Sequence, residues 1–326
     1  MKPLVSVVIP AKNEAANIDA ALRSVARQDY PVERIEVVVV DGDSVDNTGQ
    51  VAKDVMAAHR FHRSDVLTNP GGNTPSNLNA GLRWAEGEYI VRVDARSAIP
   101  SDYLARTTGI LVNRPDVVAV GGSQVAAPRS GSTVHRAIAE ALNNPWAMGG
   151  SRYRRGAKSG PADTVYLGVF RRSELAEAGG WNEHFSTNQD FELSQRLLAR
   201  GTIWFEEGLP VRYLPRGTVR ELFWQYHRFG RWKSHYWRAP GQRPQRRQLV
   251  LLLAPPIIAT FAIACARLLV RWNLLGRIVV GALAVGAGAA RLRPTRLMSW
   301  VVNGVVGAGW WTGVVRGVVR DDVTAR

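Results

Sequence analysis

A mixed, mainly parallel α/β sheet with helices on both faces, joined to membrane-associated C-terminal helices, is the architecture this sequence predicts. Three observations predict it. Through the first two hundred residues, short β-branched runs alternate with longer stretches of helical periodicity, the rhythm of βαβ units. One run, "IEVVVVD" at 35–41, is so continuously apolar that it must be a strand covered on both sides. Long apolar runs and a basic excess are confined to the last third of the chain.

The elements follow in order. "LVSVVIP" reads as the first strand, and residues 15–28 as a helix with Ile18, Leu22 and Val25 on one face. Asp46 is placed to cap a helix over 48–58. "YIVRVD" (89–94) and "VVAVGGSQV" (117–125) are further strands. Residues 130–162, rich in Gly, Arg and Asn, read as a loop-rich insertion of the kind that shapes an acceptor site. "TVYLGVFRRSELAEAGGWNEHF" then gives a strand, a helix and a glycine stop, and "NQDFELSQRLLARG" another helix closed by Gly201. From Val219, a helix sets Val219, Leu222, Phe223, Tyr226 and Phe229 on one face, with Arg228, Arg231 and Lys233 elsewhere. That is the pattern of a helix lying at a membrane interface, the alternative being an ordinary surface helix packed on the core.

Three apolar runs close the chain, at 249–266, 278–290 and 298–315. A membrane span needs about 20 residues, so the first and third are long enough and the second is short. Pro255 and Pro256 are expected to kink the first or make it re-entrant. The expected division is a catalytic domain at 1–215, a basic amphipathic segment at 216–247 and a membrane-anchoring region at 248–326.

Charge sharpens this division. The net charge is +15, yet residues 216–326 hold 18 Lys and Arg against 3 Asp and Glu, and residues 1–215 are neutral. Basic side chains interleaved with apolar runs suit an anionic membrane surface, and no nucleic-acid motif accompanies them. The single cysteine, Cys265, excludes an internal disulfide and a cysteine zinc site. Residues 4–9 are too short an apolar run for a signal peptide and read as a buried strand. No Gly-x-Gly-x-x-Gly follows the first strand, no Gly-x-Ser-x-Gly elbow occurs, and no His/Glu spacing suits zinc.

In parallel sheets, ligands sit beyond the carboxyl ends of the strands. Asp41 and Asp94 both occupy that edge, each the first acid after a strand. Asp190 stands at a helix start, where a carboxylate serves equally as a charge on the helix N-terminus or as a reactive base.

Six stretches, "VSVVIPAKNE", "VVVVDGDSVDNT", "NLNAGLRWAEGEYIVRVDARS", "DTVYLGVFRRSELAEAGGW", "NQDFELSQRL" and "QYHRFGRWK", occur in this order. Together they resemble the inverting glycosyltransferases of family 2, of GT-A fold, and within them the branch acting in succinoglycan-type exopolysaccharide assembly. The resemblance covers roughly residues 3–256. It implies a sugar moved from a UDP-sugar to a lipid-linked (polyprenyl) saccharide at the cell membrane, with the catalytic domain facing the cytoplasm. Two other readings are direct transfer to polyprenyl phosphate and a catalytically silent nucleotide-sugar-binding scaffold. The resemblance assigns the donor to Pro10, Ala11, Asn13, Glu14, Asp41, Asp43, Asn79, Asp94 and Arg96, with Asp41 reading uracil and Asp94 the ribose or metal–diphosphate group. It makes Asp190 the base, Gln225, Arg228 and Phe229 the acceptor and diphosphate contacts, and Mg²⁺ or Mn²⁺, held by Asp94, the cofactor. Phe229 replaces a usual tryptophan. Arg96 stands where relatives often carry Asp or His, and it cannot ligate a metal because it stays protonated. A weakened metal site, or a guanidinium replacing part of the cation's charge, are the two expectations.

Overall fold

Val5, Val7 and Ile9 point into one apolar layer and Val8 into another, so the first strand, β1 (Val5–Ala11), has no polar face to offer solvent. The same division repeats in β2 (Ile35–Asp41), where Val37 and Val39 join the first layer and Val38 and Val40 the second. The continuous apolar runs in the sequence thus have a simple cause: helices cover both sides. The computed structural model describes residues 1–144, 153, 158–238, 243–244, 246–271 and 294–319. They form two units, one of Met1–Ala127 with Ser151–Pro215 and one of Pro128–Gly150 with Arg216–Arg326.

In the first unit, α1 (Ile18–Ala26) follows β1, and α2 (Thr48–Ala57) links β2 to β3 (Arg63–Thr68). Next come α3 (Thr74–Trp84), β4 (Tyr89–Arg92), the short β5 (Ser97–Ala98), α4 (Tyr103–Asn113) and β6 (Val117–Ala126). In the second unit lies α5 (Thr133–Asn143). The first unit resumes with β7 (Gly160–Pro161), β8 (Tyr166–Arg171), α6 (Arg172–Glu177), α7 (Gln189–Leu197) and β9 (Thr202–Tyr213). The sheet order is β3-β2-β1-β4-β8-β6-β9-β5, with β7 on β9. β3, β2, β1 and β4 are mutually parallel, as expected. β8 then enters antiparallel between β4 and β6, and β6 and β9 pair parallel again, so the sheet is mixed and mainly parallel, as expected.

Helices α1, α2 and α4 cover the first layer through Ile18, Leu22, Ala52, Leu104 and Leu111. Helices α3, α6 and α7 cover the second through Leu78, Leu175, Leu193 and Leu197. An Asn73–Ser76 capping box starts α3, and Gly81 lets it lie on β1, since a Cβ there would come 2.2 Å from Val8 Cγ1. After α6, Gly179 (φ 81°) and Gly180 (φ 66°) provide the glycine stop.

One polar group interrupts the apolar runs. Glu36 is fully buried in β2, and its Oε2 accepts from Ser6 Oγ (2.5 Å) and from the backbone N–H groups of Glu86 (3.0 Å) and Gly87 (3.1 Å). Glu36→Ala leaves the Ser6 hydroxyl and the Glu86 N–H without their acceptor, while Gly87 N keeps Ser6 Oγ (2.8 Å), and is expected to destabilise the unit by about 2–4 kcal/mol. Urea unfolding followed by circular dichroism measures the loss. A change below about 0.5 kcal/mol, the size of a neutral surface substitution, would show that the network contributes nothing.

The second unit is helical among the described residues. The expected loop at 130–162 contains α5, capped by Ser132 Oγ accepting from His135 N (3.2 Å), with Ala137, Ile138, Ala141 and Leu142 buried. Thr218 and Glu221 form a reciprocal cap on α8 (Val219–Arg238), ahead of α9 (Arg246–Arg271) and α10 (Pro294–Val319). Helix α10 packs on both α8 and α5. Its Gly309, Gly313 and Gly317 bring backbone against α8: a Cβ at Gly313 would lie 2.0 Å from His227 O, and one at Gly309 2.6 Å from Phe223 O. Gly230 of α8 answers from the other side, 2.1 Å from Trp310 O by the same measure.

This contact corrects the reading of α8. Its buried residues are Leu222, Tyr226, His227, Gly230, Lys233, Ser234 and Tyr236, a face that includes polar and glycine positions rather than the purely apolar stripe expected. His227 Nδ1 pairs with Thr312 Oγ1 at 3.2 Å inside it. The expected spans are also not met: among the described residues no helix is long and apolar enough to cross a membrane. The run at 278–290 lies outside the described residues, as do several side chains of α9. Pro255 and Pro256 lie inside the single helix α9.

Candidate active site

Strands β2, β1 and β4 run side by side in one direction, so the loops at their carboxyl ends share one edge of the sheet. Ala11 is in register with Asp41, and Gly42 N donates to Ala11 O (2.8 Å). Asn13 and Asp43 take left-handed backbone, at φ 55° and 69°, which their short polar side chains tolerate. The loop after β1 is stitched to the loop after β2. Asn13 N donates to Ser44 Oγ (2.8 Å), Val45 N to Asn13 Oδ1 (2.9 Å) and Glu14 N to Thr48 Oγ1 (2.8 Å). Half-buried Asp41 is oriented by Ser44 N, which donates to its Oδ1 (2.9 Å). Asp46 accepts from Thr48 N (3.1 Å) and Ala15 N (3.2 Å), and its hydrogen bond from the Thr48 hydroxyl holds its carboxyl below the usual range.

Arg92, Asp94 and Arg96 follow at intervals of two. Arg96 Nε donates to Glu14 Oε1 (2.6 Å), while Asn17 Nδ2 holds Glu14 Oε2 (2.6 Å). The arginine in the unusual position is therefore tied to the loop after β1. Arg92 is only 7% exposed; its Nε donates to Asp94 Oδ1 (2.8 Å), and its Nη1 pairs with Asp190 Oδ1. Asp190 enters from α7. Asn188 turns the chain at φ 62°, and Asp190 then sits in the first helical turn, where the helix N-terminus favours its charge.

Asp190 opens to solvent on one side, its side chain 46% exposed, and the protein packed about its other side displaces water. That desolvation raises its carboxyl above the usual range; Arg92 opposes the rise and Asp94 adds to it. For Arg92 burial works against the charged form, but Asp190 and Asp94 outweigh it and hold the guanidinium firmly protonated. Burial, then Asp94, pushes the Tyr166 hydroxyl up as well, and Tyr166 OH shares a 2.8 Å hydrogen bond with Ser97 Oγ.

Two hydrogen-bonded networks thus meet in residues 92–96. Pro10, Ala11, Asn13, Glu14, Asp41, Asp43, Asp94 and Arg96 all lie at the carboxyl edge, and Asp190 reaches Asp94 through Arg92. Asn79 is placed differently. Its Nδ2 donates to Trp181 O (2.7 Å) and Glu183 Oε1 (2.8 Å) and its Oδ1 accepts from Trp181 N (2.8 Å), joining α3 to the loop after α6. Gln225, Arg228 and Phe229 lie on α8 in the second unit, where Arg228 is exposed and Phe229 packs edge-on against Tyr226 at 5.2 Å. Sequence reasoning missed Arg92. The signal was present: a charge inside an apolar strand, two residues before the key acid.

Among the described residues no three His, Cys, Asp or Glu side chains gather as a metal cage. Asp94 fits a lesser role. Its Oδ1 is taken by Arg92, and the side chain, 31% exposed, keeps Oδ2 for one bond to a hard cation whose other ligands are phosphate oxygens and water.

Comparison with known proteins agrees with this geometry. The family model described as glycosyl transferase family 2 matches residues 6–176. The succinoglycan biosynthesis protein ExoA of Rhizobium meliloti (strain 1021) is 31% identical over 257 residues, covering 77% of this chain and 75% of that protein. The mannosyltransferase PcManGT from Pyrobaculum calidifontis, solved with GDP-Man and Mn²⁺, superposes with a TM-score of 0.68 at 23% identity, covering 98% of this chain and 88% of that one. S. aureus TarS 1-349, solved with UDP, gives a TM-score of 0.50 at 15% identity, covering 96% and 90%. These structures show a shared mixed α/β fold of GT-A type.

Proposed function

The chain belongs to glycosyl transferase family 2 and is a glycosyltransferase of polysaccharide or glycolipid biosynthesis, and on that premise we propose that it moves a sugar, with inversion, from a UDP-sugar to a lipid-linked saccharide at a membrane surface. The observation that carries the reading is Asp190, a carboxylate open to solvent on one side and joined on the other, through a single guanidinium, to the acid beyond β4.

Inversion needs a base that takes the proton of the acceptor hydroxyl as that oxygen attacks the anomeric carbon and UDP departs. Asp190 fills this role. Asp41 accepts from the uracil imide N–H, and Asp94 serves either the ribose hydroxyls or the metal–diphosphate group. UDP rather than GDP as the leaving nucleotide draws support from the TarS complex, and the PcManGT complex makes the base worth testing directly. Asp94 would hold Mg²⁺ or Mn²⁺ together with the diphosphate oxygens, an ion that would offset the charge developing on the leaving group. Arg96, anchored by Glu14, supplies a fixed positive charge from the chain itself. Chelator is expected to abolish turnover, restored only at raised Mg²⁺ or Mn²⁺, and Arg96→His should lower the metal concentration needed. Undiminished turnover in chelator would leave Arg96 as the cation in charge of the diphosphate.

Membrane attachment draws support from the charge-free run at 249–266, from exposed Leu249, Val250, Leu253, Ile257, Phe261 and Ile263 on α9, and from the basic C-terminal third. With the catalytic unit on the cytoplasmic side, the protein should stay in the membrane fraction after a carbonate wash. Release by carbonate or high salt would reduce the attachment to electrostatics. The activity itself is tested by incubating such membranes with a panel of UDP-sugars and extracted lipid-linked acceptors. Labelled product stable to mild acid marks a sugar–sugar bond. Product released by mild acid would move the acceptor to a polyprenyl phosphate.

A further inference from the structure

Arg92 has an unusual set of partners for a buried arginine. Arg171, half-buried near the start of α6, donates to the backbone carbonyls of Val117, Leu111 and Arg114. Arg196 pairs with the Glu192 carboxylate and also reaches the carbonyls of Ala178 and Gly180. Those arginines fasten backbone. Arg92 makes no such bond among the described residues: both its hydrogen bonds go to carboxylates, Asp94 and Asp190, which are partly exposed and lie 96 positions apart in the chain. A buried cation whose described partners are two partly exposed acids contributes less to holding segments together than to fixing those acids.

We infer that Arg92 is a positioning residue that sets which oxygen of each carboxylate faces the reactants. It takes Oδ1 of Asp190 and Oδ1 of Asp94, leaving Oδ2 of the first for the acceptor hydroxyl and Oδ2 of the second for the donor. One planar guanidinium with forked donors can hold both at once; an ammonium has the charge without the fork. Donor site and base are thereby kept in a fixed relation across two elements distant in sequence. The inference rests on Asp190 being the base, and its test separates the two.

Arg92→Lys keeps the charge and loses the planar donors that reach both carboxylates at once. It is expected to retain the wild-type melting temperature and measurable UDP binding by calorimetry while kcat falls by about 100-fold, the scale of a misplaced reactive group. Arg92→Ala should regain turnover when guanidinium ion is added at millimolar concentration, and Asp190→Asn should not. Arg92→Lys with wild-type kcat would overturn the inference. So would a loss of kcat that appears only together with lost UDP binding and a lowered melting temperature, the signature of a purely structural arginine. An Asp190→Asn variant that turns over normally removes the base reading itself, whereas an inactive Asp190→Asn beside a fully active Arg92→Lys removes only the link through Arg92.

Discussion

Asp190→Asn is expected to lower turnover by ~10²-fold or more, the contribution general-base catalysis makes, with UDP affinity little changed. The substitution keeps the size of the side chain and its hydrogen bond from Arg92's side of the cleft, but removes the proton acceptor. Initial rates at saturating donor and acceptor, beside calorimetric UDP binding, separate the two effects. The wild-type enzyme carries a second mark of the same assignment. Because desolvation raises the Asp190 carboxyl, the group takes up its proton at a higher pH than an ordinary aspartate. The base is active only when deprotonated, so the acid limb of kcat/KM should fall at a pH above the usual carboxylate range and disappear in Asp190→Asn. Near-normal turnover in that variant would leave Asp190 as a helix-terminal charge and nothing more.

Gly313→Leu should cost about 3 kcal/mol or more, because overpacking here has nowhere to go. The new Cβ would begin 2.0 Å from a backbone carbonyl, and neither helix can yield by rotating a side chain. Gly307 on the same helix gives the control, since nothing lies within 4 Å of its Cβ position. Gly307→Ala should stabilise by about 0.5–1 kcal/mol through helix propensity alone. Two substitutions six residues apart are thus expected to act with opposite sign, readable as opposite shifts in melting temperature. A tolerated Gly313→Leu would mean that α8 and α10 do not pack backbone to backbone.

What the sequence made legible was what carries a periodic signal. β1, β2, β4 and β6 announce themselves through β-branched runs, and Asp41 and Asp94 are found because they end such runs. The antiparallel entry of β8 was not legible, since strand sense depends on which neighbour a strand chooses and not on its own composition. Helix α5 was hidden by alanines, which mark no apolar face, among glycine and arginine neighbours that read as loop. The buried face of α8 was misread for a related reason: the partner surface is made of glycines, so polar residues of α8 can be covered without any apolar period to report it. Arg92 was missed as a site residue because its second partner lies 98 positions away and no spacing rule reaches that far.

The way α10 packs has a consequence for how the protein is made. A ribosome that has passed Pro215 has already delivered every strand of the described sheet, from β1 to β9. Helices α5 and α8 have been delivered by residue 238, yet the surface they share with α10 is incomplete until Gly309, Gly313 and Gly317 have emerged. Through the roughly eighty residues synthesised from 238 to 317, Phe223, His227 and Ser234 have no glycine stripe to lie against. A stop codon near Pro244 would therefore remove the surface on which α8 packs. It would strand α8 permanently in its nascent state, an apolar and partly polar face open to chaperones and proteases, while the unit that carries Asp41, Asp94 and Asp190 had long since been synthesised.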